Sequence, residues 1–517
     1  FSLTTGVDEP LAGKYNKIDG SLNSSGIQTL NSLDKLQGTT ATGDVLNATI
    51  SRSVTPLLIS DIETVNIGAT AAATLGLVNS TGISKVNVGG VTGGTFTLTG
   101  VGKDVDISLS DSTESHTITF NDVSGSSDSA DLTVAQITGG TATDLTLASI
   151  ESLNLVSAGG EGSNDFELIA TSLETLTVTG SGDLTLPSLH TATTRSVTKI
   201  DFSGFTGAAN LITGALDIGL TALTVLGGSG NDTLNTSAFV SGDTSVDGGA
   251  GDDTITIALS TSDTLAGGTG TDTLSTSTAV ATAGNVSGFE TLDITGAVTQ
   301  SLSNLSGNSW TTVEFGGNVA STVSNASADV TTVTIDGDAQ DTKTFTRETD
   351  TSSDTLNVTL QNTAAANLSV ANEETLTITS TEAASTITTL TATDATSLTI
   401  KGSENTTITN IAGIYLATVD ASSATGVVSV GNTSNTSEAA MTITAGPGGL
   451  TALGSTAADT MSGSTGDDSL TGGDGADSIT GAAGADTLTG GGGNDIISGG
   501  AGNDSITADA GDDNLSG

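Results

Sequence analysis

The sequence predicts an all-β protein: an elongated parallel β-solenoid or β-roll with Gly/Asp coils, built as two tandem modules. The first supporting observation is composition. Among 517 residues there are 68 Gly, aromatic residues make up only 3%, and apolar residues still reach 35%. Small aliphatic side chains can therefore stack into a thin core, whereas a large rounded core with bulky aromatic packing is not expected. The other two observations are a nine-residue Gly/Asp repeat and a series of short alternating strands.

The nine-residue repeat runs from Gly454 to Gly517 without a break in register. Its seven copies follow the pattern G-G-x-G-x-D-x-U-x, where U is a large apolar residue. Glycine permits the tight left-handed turn, the eighth residue is expected to point into the core, and two copies are predicted to make one turn. The sixth position is always Asp: Asp459, Asp468, Asp477, Asp486, Asp495, Asp504 and Asp513.

Calcium is the ion that this pattern predicts. Asp carboxylates and the carbonyls of the turns are the hard oxygen ligands that Ca²⁺ prefers, and several ions are expected between successive turns. Besides the seven aspartates, the predicted metal-binding residues of this segment are Asp467, Asp512, Asn494, Asn503, Gly466, Gly473, Gly475, Gly484, Gly491, Gly493, Gly500 and Gly502.

A second set of Gly/Asp coils lies in the middle of the chain, at 227–232, 248–253 and 267–272. Their spacings of 21 and 19 residues are close to one turn of two repeats, so they should stack along one side. A flexible Gly-rich linker is the alternative, but linkers do not fix Asp and aliphatic residues at constant offsets. The predicted metal-binding residues are Asn231, Asp232, Asp252, Asp253, Asp272, Gly228, Gly230, Gly249, Gly251, Gly268 and Gly270.

Short strands with one buried face are predicted elsewhere, many of them after a Glu: Thr64 to Ile67, Ser152 to Leu155, Thr175 to Val178, Thr291 to Ile294 and Thr375 to Ile378. Intervals of 20 to 25 residues often separate them, which fits one strand per turn of a wide solenoid. An antiparallel sandwich is the alternative at this stage.

An internal duplication sets the predicted domain boundaries. Asp34, Asp44 and Glu63 match Asp263, Asp272 and Glu290 at offsets of 229, 228 and 227 residues. We predict a first solenoid module at 1–225 with a degenerate coil near 34–46, calcium coils at 226–275, a second module at 276–453 and a terminal β-roll at 454–517. The degenerate coil lacks the double Gly, which puts calcium at Asp44 in doubt.

The charge balance indicates cations as partners. Eleven Lys and Arg against 58 Asp and Glu give a net charge of −47, which argues against nucleic-acid or anionic-membrane binding. Such a charge repels itself unless ions are bound, so ion binding and folding are expected to be coupled. The chain has no Cys and no apolar run long enough to span a bilayer, and it reads as a fragment of an exported protein.

No catalytic constellation is predicted, so the chain is not expected to be an enzyme. His116 and His190 are far apart and lack paired metal-ligand spacing. Adjacent carboxylates such as Asp252 and Asp253 are expected by chance in so acidic a chain, and the aromatic platform of a sugar-binding site is nearly missing.

The combination resembles RTX-type bacterial surface-layer (S-layer) proteins, in particular those of Caulobacter and Campylobacter. The residues that carry this resemblance are Phe1 to Asp8, Asp263 to Leu274, Phe289 to Leu292, Asp420 to Gly426 and the terminal repeats. The resemblance implies type I secretion, folding in external calcium, self-assembly into a cell-surface lattice, and attachment to lipopolysaccharide through an anchoring domain missing from this chain. A large RTX adhesin and an extracellular matrix or filament protein are the alternatives.

Overall fold

The computed structural model describes all residues except 10–16, 24, 26, 160–162, 191–196, 213–221, 240–241, 280–284, 337–340, 362, 364–365, 413–415 and 432–438. Contacts divide the chain into two units, one of residues 1–258 and 262–273 and the other of residues 259–261 and 274–517. Both units are parallel β-solenoids, with about 21 turns in total. The predicted all-β solenoid is therefore confirmed, whereas the finer module boundaries remain a prediction.

The first unit contains two long parallel sheets and a two-stranded one. The first sheet has the order β1-β3-β5-β7-β9-β11-β13-β15-β18-β20-β22-β24, the second contains the strands from β6 to β23 that are not in the first, and β2 pairs with β4. The strands are β1 Lys17–Gly20, β2 Lys35–Gln37, β3 Val45–Ile50, β4 Leu58–Ser60, β5 Thr64–Ala69, β6 Ala73–Gly76, β7 Lys85–Gly89, β8 Phe96–Val101, β9 Asp106–Ser112, β10 His116–Phe120, β11 Ser129–Ile137, β12 Gly140–Ala148, β13 Ser152–Ser157, β14 Asn164–Ala170, β15 Thr175–Gly180, β16 Leu184–Leu186, β17 Leu189–His190, β18 Lys199–Phe205, β19 Ala209–Ile212, β20 Ala222–Leu226, β21 Thr233–Asn235, β22 Asp243–Asp247, β23 Thr254–Ile257 and β24 Thr264–Ala266.

The second unit repeats this arrangement with two long parallel sheets, β27-β29-β31-β33-β35-β37-β40-β42-β44-β46-β48-β50 and β28-β30-β32-β34-β36-β38-β41-β43-β45-β47-β49. Strand β39 pairs with β36, and one 3-10 turn spans Leu302–Leu305. The remaining strands of the chain are β25 Thr273–Thr276, β26 Asn285–Ser287, β27 Thr291–Ile294, β28 Thr299–Ser301, β29 Thr312–Phe315, β30 Ser321–Ala326, β31 Thr332–Asp336, β32 Thr342–Arg347, β33 Thr355–Gln361, β34 Ala366–Ser369, β35 Thr375–Ser380, β36 Ser385–Thr391, β37 Ser397–Gly402, β38 Thr406–Ile408, β39 Ile411–Ala412, β40 Thr418–Asp420, β41 Val428–Val430, β42 Thr442–Thr444, β43 Leu450–Leu453, β44 Thr460–Ser462, β45 Ser469–Asp474, β46 Ser478–Ala483, β47 Thr487–Gly492, β48 Ile496–Ala501, β49 Ser505–Ala510 and β50 Asn514–Ser516.

The short alternating segments form parallel strands, one per turn, as the sequence predicts. β13 pairs in parallel with β15, and β35 with β37, so that residues of the same type stack on the same face. Burial alternates along each strand, as in β5, where Val65, Ile67 and Ala69 face the core. The parallel pairings rule out the antiparallel sandwich. In the terminal segment Leu470 of β45 pairs with Leu488 of β47, which confirms that two nine-residue repeats make one turn.

The core is thin and aliphatic, and the few aromatic side chains are mostly inside it. Phe96, Phe166 and Phe345 are among the largest fully buried side chains. Trp310 is also buried and stacks on Phe289 at a centroid distance of 6.3 Å. The aromatic residues therefore support packing, and a surface row of rings for sugar binding is absent from the described residues.

Two cations lie inside the second unit, both on β32. The Lys343 ammonium group donates to the carbonyls of Gly317 and Val319. Arg347 forms a buried ion pair with Glu373 at 2.8 Å and donates to main-chain carbonyls, including those of Val330 and Thr355. A buried charge is tolerated only when it is paired and hydrogen-bonded. Because the partners of Arg347 lie in three neighbouring turns, this side chain ties those turns together.

We expect Arg347→Ala to destabilise the second unit by about 3–5 kcal/mol, because it leaves the Glu373 carboxylate buried without its partner. Urea unfolding in saturating calcium measures this effect. Lys401→Ala is the control, since Lys401 is exposed on β37 of the same unit and its removal should change stability by less than about 0.5 kcal/mol. Equal unfolding midpoints for the two variants would contradict a stabilising role of the buried Arg347–Glu373 ion pair.

Candidate metal centre

The predicted metal residues lie in Gly/Asp loops, which we define as the six residues from the first Gly of a repeat to its Asp and name by that Asp. The Asp477 loop is representative. Gly473 and Gly475 have φ values of 115° and 113°, a left-handed conformation that favours glycine. A Cβ added to Gly472 would overlap with Asp477 Oδ2 and lie 2.6 Å from the carbonyl oxygen of Gly490. In this loop glycine is therefore favoured at two positions by the backbone conformation and at the first position by the lack of space.

Consecutive loops on one side of the solenoid are joined by a carboxylate ladder. In each step Oδ1 of the loop Asp accepts the main-chain N–H of the Asp one turn earlier, as between Asp477 and Asp459 at 2.8 Å. The same bond, between 2.8 and 3.1 Å, defines three stacks: Asp232, Asp253 and Asp272; Asp459, Asp477, Asp495 and Asp513; and Asp468, Asp486 and Asp504.

The second carboxylate oxygen distinguishes two kinds of loop. In the first kind, which we call open, Oδ2 is buried without a hydrogen-bond donor. Open loops are those of Asp253, Asp477, Asp486 and Asp495, whose side chains are each 1% exposed. A buried carboxylate oxygen without a donor carries a desolvation cost that a bound cation would remove. Asp477 Oδ2 and the carbonyl oxygen of Gly490, the first Gly of the next turn, both lie within 2.6 Å of a Cβ placed on Gly472.

In the second kind, which we call closed, Oδ2 accepts a main-chain N–H of the same loop. Gly228 donates to Asp232, Ser455 to Asp459 and Ser464 to Asp468, at 2.5 to 2.8 Å. The second loop residue is not left-handed in these three loops, so its N–H can turn toward the carboxylate. The sequence pattern assigns calcium to both kinds alike, and the structure separates them.

The glycines predicted to supply carbonyl ligands follow the same division. Those with φ between 99° and 153° are Gly249, Gly251, Gly268, Gly270, Gly473, Gly475, Gly484, Gly491, Gly493, Gly500 and Gly502. Gly228, Gly230 and Gly466, which belong to closed loops, lack positive φ values. In the open Asp486 loop Ala482 takes the left-handed conformation, with φ of 76°. The turn is thus imposed by the stack even where glycine is missing.

The fifth-position residues lie on the outside of the loops. Oδ1 of Asn231, Asp252, Asp467 and Asn494 accepts the main-chain N–H of the residue one turn later, at 2.8 to 2.9 Å. Asn503 and Asp512 are exposed. These side chains form a second, outer ladder, and their role as metal ligands remains a prediction.

The last loop of each stack contains Asp272, Asp504 or Asp513. Asp272 is fully buried, whereas Asp504 and Asp513 are half-buried in the last turn, where Leu515 is 47% exposed. Each of the three carboxylates accepts the N–H of the preceding Asp through Oδ1.

Burial and neighbouring carboxylates raise the pKa values of loop aspartates. The pKa of Asp253 rises to about 7, first because of burial and then because of Asp232, Asp272 and Asp252. Burial likewise raises the pKa of Asp477 to about 6, with Asp459 and Asp495 adding repulsion. Burial also raises the pKa of Asp232 and of Asp468. The loops therefore concentrate negative charge where water cannot screen it, which is the electrostatic setting for a cation.

Side chains alone do not complete a metal centre. In the described part of the chain, no three His, Cys, Asp or Glu side chains form a cluster that could hold an ion. Each loop instead combines one or two carboxylates with main-chain carbonyls, a ligand set that suits Ca²⁺, which accepts six to eight oxygens in flexible geometry. The residues of the open loops fit calcium on this chemistry.

Comparison with known families agrees with the geometry. Residues 224–238, 240–256, 257–277, 453–488 and 489–517 match the family described as RTX calcium-binding nonapeptide repeat (4 copies). The chain carries RTX repeats. RTX nonapeptide repeats bind calcium, and the matched residues contain all three stacks. The strand ladders outside these segments are not covered by the match. No curated protein matches the chain.

A related ladder outside the matched segments was missed by the sequence reasoning. Glu63, Glu151 and Glu374 were predicted only as residues preceding strands. Their carboxylates accept the main-chain N–H of Asp44, Asp128 and Asp354, one turn earlier, at 2.7 to 2.9 Å. The longer Glu side chain thus performs the turn-to-turn bond of the RTX Asp. The Glu that recurs before several strands was the available signal.

The degenerate coil near 34–46 resembles a closed loop. Oδ2 of Asp44 accepts both the main-chain N–H and the hydroxyl of Thr39. This arrangement agrees with the doubt about calcium at Asp44, which remains a prediction.

His116, one of the two histidines of the chain, is buried in the core. His116 is 2% exposed on β10, and burial lowers its pKa to about 4, so it stays neutral at physiological pH. No helix in the described residues is long and apolar enough to cross a membrane.

We expect Gly472→Ala to weaken calcium binding at the Asp477 loop, because the added Cβ displaces Oδ2 and the neighbouring carbonyl. Titration calorimetry should show about a tenfold or greater loss at one site, equivalent to at least 1.4 kcal/mol. Gly492→Ala is the matched control: it stands at the third position, where other repeats have Ala483 and Ala501. Similar binding curves for both variants would contradict the requirement for glycine at position 472.

We also expect calcium affinity to fall as the pH is lowered from about 8 to about 6. An Asp whose pKa is raised must release its proton before it binds a cation, so protons compete with calcium below that pKa. For the Asp253 loop, with a pKa of about 7, the apparent affinity should drop about tenfold over this range. Calcium titrations at constant ionic strength test this, and a pH-independent midpoint would argue against it.

Proposed function

We propose that this chain is a structural, calcium-dependent protein that self-assembles into an S-layer on a bacterial cell surface. The observation that supports it most is the continuity of the calcium loops with the strand ladders. In the second unit β42 pairs with β44 and β43 with β45, so the terminal repeats extend the existing sheets. In the first unit β20, β22 and β24 extend their sheet in the same way. Calcium would thus stiffen a scaffold.

Charge makes this scaffold dependent on calcium. Loop carboxylates stack from turn to turn in the RTX segments, in a chain with net charge −47. Without cations, stacked buried carboxylates repel each other and lack solvation, which disfavours the folded turns. Weak extracellular-type calcium sites with dissociation constants of roughly 10⁻⁴ to 10⁻³ M would keep the chain unfolded in the cytoplasm and let it fold outside.

The proposed location is extracellular, and the proposed partners are other copies of the chain. RTX repeat proteins are typically secreted and extracellular. The sequence segments that resemble S-layer proteins support assembly into a lattice, in which other copies of the chain are the partners. Attachment to lipopolysaccharide would rest on a separate anchoring domain. A large adhesin or an extracellular matrix filament would share the solenoid and the calcium but differ in assembly.

We expect calcium removal to unfold the RTX segments. Far-UV circular dichroism of the full chain should show loss of β-signal after EGTA and recovery after millimolar calcium, because the open loops lose their counter-ions. Magnesium at the same concentration is the control, since it demands six-coordinate geometry and dehydrates reluctantly. An unchanged β-signal in EGTA would contradict the proposed coupling of calcium binding to folding.

Electron microscopy of purified protein in calcium distinguishes the assemblies. Planar periodic sheets are expected for an S-layer. Fibres would support the matrix protein instead, and dispersed monomers the adhesin.

A further inference from the structure

The closed loops occupy one particular place in every stack. The three closed loops, those of Asp232, Asp459 and Asp468, are the first of their stacks. All four open loops follow a Gly/Asp loop in the preceding turn. We call the three closed loops the starter loops.

What precedes a starter loop differs from what precedes an open loop. Oδ1 of Asp232, Asp459 and Asp468 accepts the N–H of Ala209, Met441 and Leu450. These donors are ordinary core residues, whereas the donor for an open loop is always another loop Asp. A starter loop therefore lies between a preceding turn that has no loop Asp and a following turn that has one.

The closed Asp459 and Asp468 loops have Ser at the second position, but sequence does not explain why the Asp232 loop is closed. Gly227–Asp232 and Gly248–Asp253 both have Gly at positions one, two and four and Asp at position six. Yet Gly249 is left-handed, with φ of 99°, and Gly228 is not. The turn beneath decides: Ala250 donates its N–H to Gly228 O at 2.9 Å, whereas the equivalent Ser229 donates to Phe205 O at 3.0 Å. Only a Gly/Asp loop beneath provides the backbone on which the left-handed form stacks.

We propose that the starter loops bind no calcium and that ions bind only from the second loop of each stack onward. In a starter loop the main-chain N–H of Gly228, Ser455 or Ser464 occupies the carboxylate oxygen that would face the ion. In Asp253, Asp477, Asp486 and Asp495 that oxygen is buried and has no donor. This inference rests on the proposed calcium binding and refines it.

The starter loops would then act as calcium-independent templates. Each presents to the next turn a formed loop backbone and an Asp N–H that donates to the carboxylate of the next loop. In solenoids each turn contacts only its neighbours, so order propagates from a formed turn to the next one. Calcium-driven folding of the open loops would begin at these turns.

A pair of matched substitutions tests the proposal: Asp253→Asn and Asp232→Asn in the full chain. Asn keeps Oδ1 for the turn-to-turn bond and replaces Oδ2 by an amide NH₂. Bound calcium is counted by atomic absorption after equilibrium dialysis against millimolar calcium with excess magnesium and salt. Asp253→Asn should bind one ion fewer than the unmodified chain. Asp232→Asn should bind the same number while melting at a lower temperature, because Gly228 N–H loses its acceptor.

Other results would overturn the inference in distinguishable ways. Loss of one ion in both variants would mean that starter loops bind calcium, while the proposed function would stand. An unmodified chain that binds no calcium would end the proposed function itself. Should Asp232→Asn not fold, anomalous scattering from calcium-grown crystals of the unmodified chain decides the matter: peaks are expected beside Asp253 and Asp477, and a peak beside Asp232, Asp459 or Asp468 refutes the proposal.

Discussion

The bond from a main-chain N–H to the carboxylate of the next turn underlies the calcium-binding segments. It fixes the distance between turns, because Asp477 can reach the N–H of Asp459 only when the strands on either side are in register. It also fixes the chemistry, since each turn then brings one more carboxylate into a buried line. Stacking order and negative charge are thus created by the same contact, and a cation is needed wherever no second N–H is available.

Elsewhere in the chain other side chains join successive turns. Glu63, Glu151 and Glu374 reach the N–H groups of the preceding turn. In the second unit the guanidinium of Arg347 supplies the positive charge and donates to carbonyls of adjacent turns. A parallel solenoid can be held by any group that satisfies two successive turns, and the RTX segments differ in leaving that task to a soluble ion.

The dependence of each turn on the one beneath gives the loops a polarity. Each loop that follows an ordinary turn closes on its own N–H, whereas the loops of Asp253, Asp477, Asp486 and Asp495, each of which follows another loop, are open. The left-handed Ala482 illustrates how strongly the stack imposes its backbone, since alanine disfavours that conformation by roughly 1–2 kcal/mol. The hydrogen bonding of each loop carboxylate is therefore a property of pairs of neighbouring turns rather than of a single repeat.

The sequence by itself determined the all-β solenoid, the two-repeat turn and the ion, because glycine, Asp and an aliphatic residue at fixed offsets leave little else for the backbone and its oxygens to do. The strands after Glu63, Glu151 and Glu374 were also readable from alternation. Only the tertiary structure decided which loop carboxylates have a buried Oδ2 without a donor: Asp232 and Asp253 have equivalent motifs, and their difference lies in the turn beneath, which no local pattern records. The same holds for the buried partner of Arg347, since the contact spans 26 residues and depends on how turns stack.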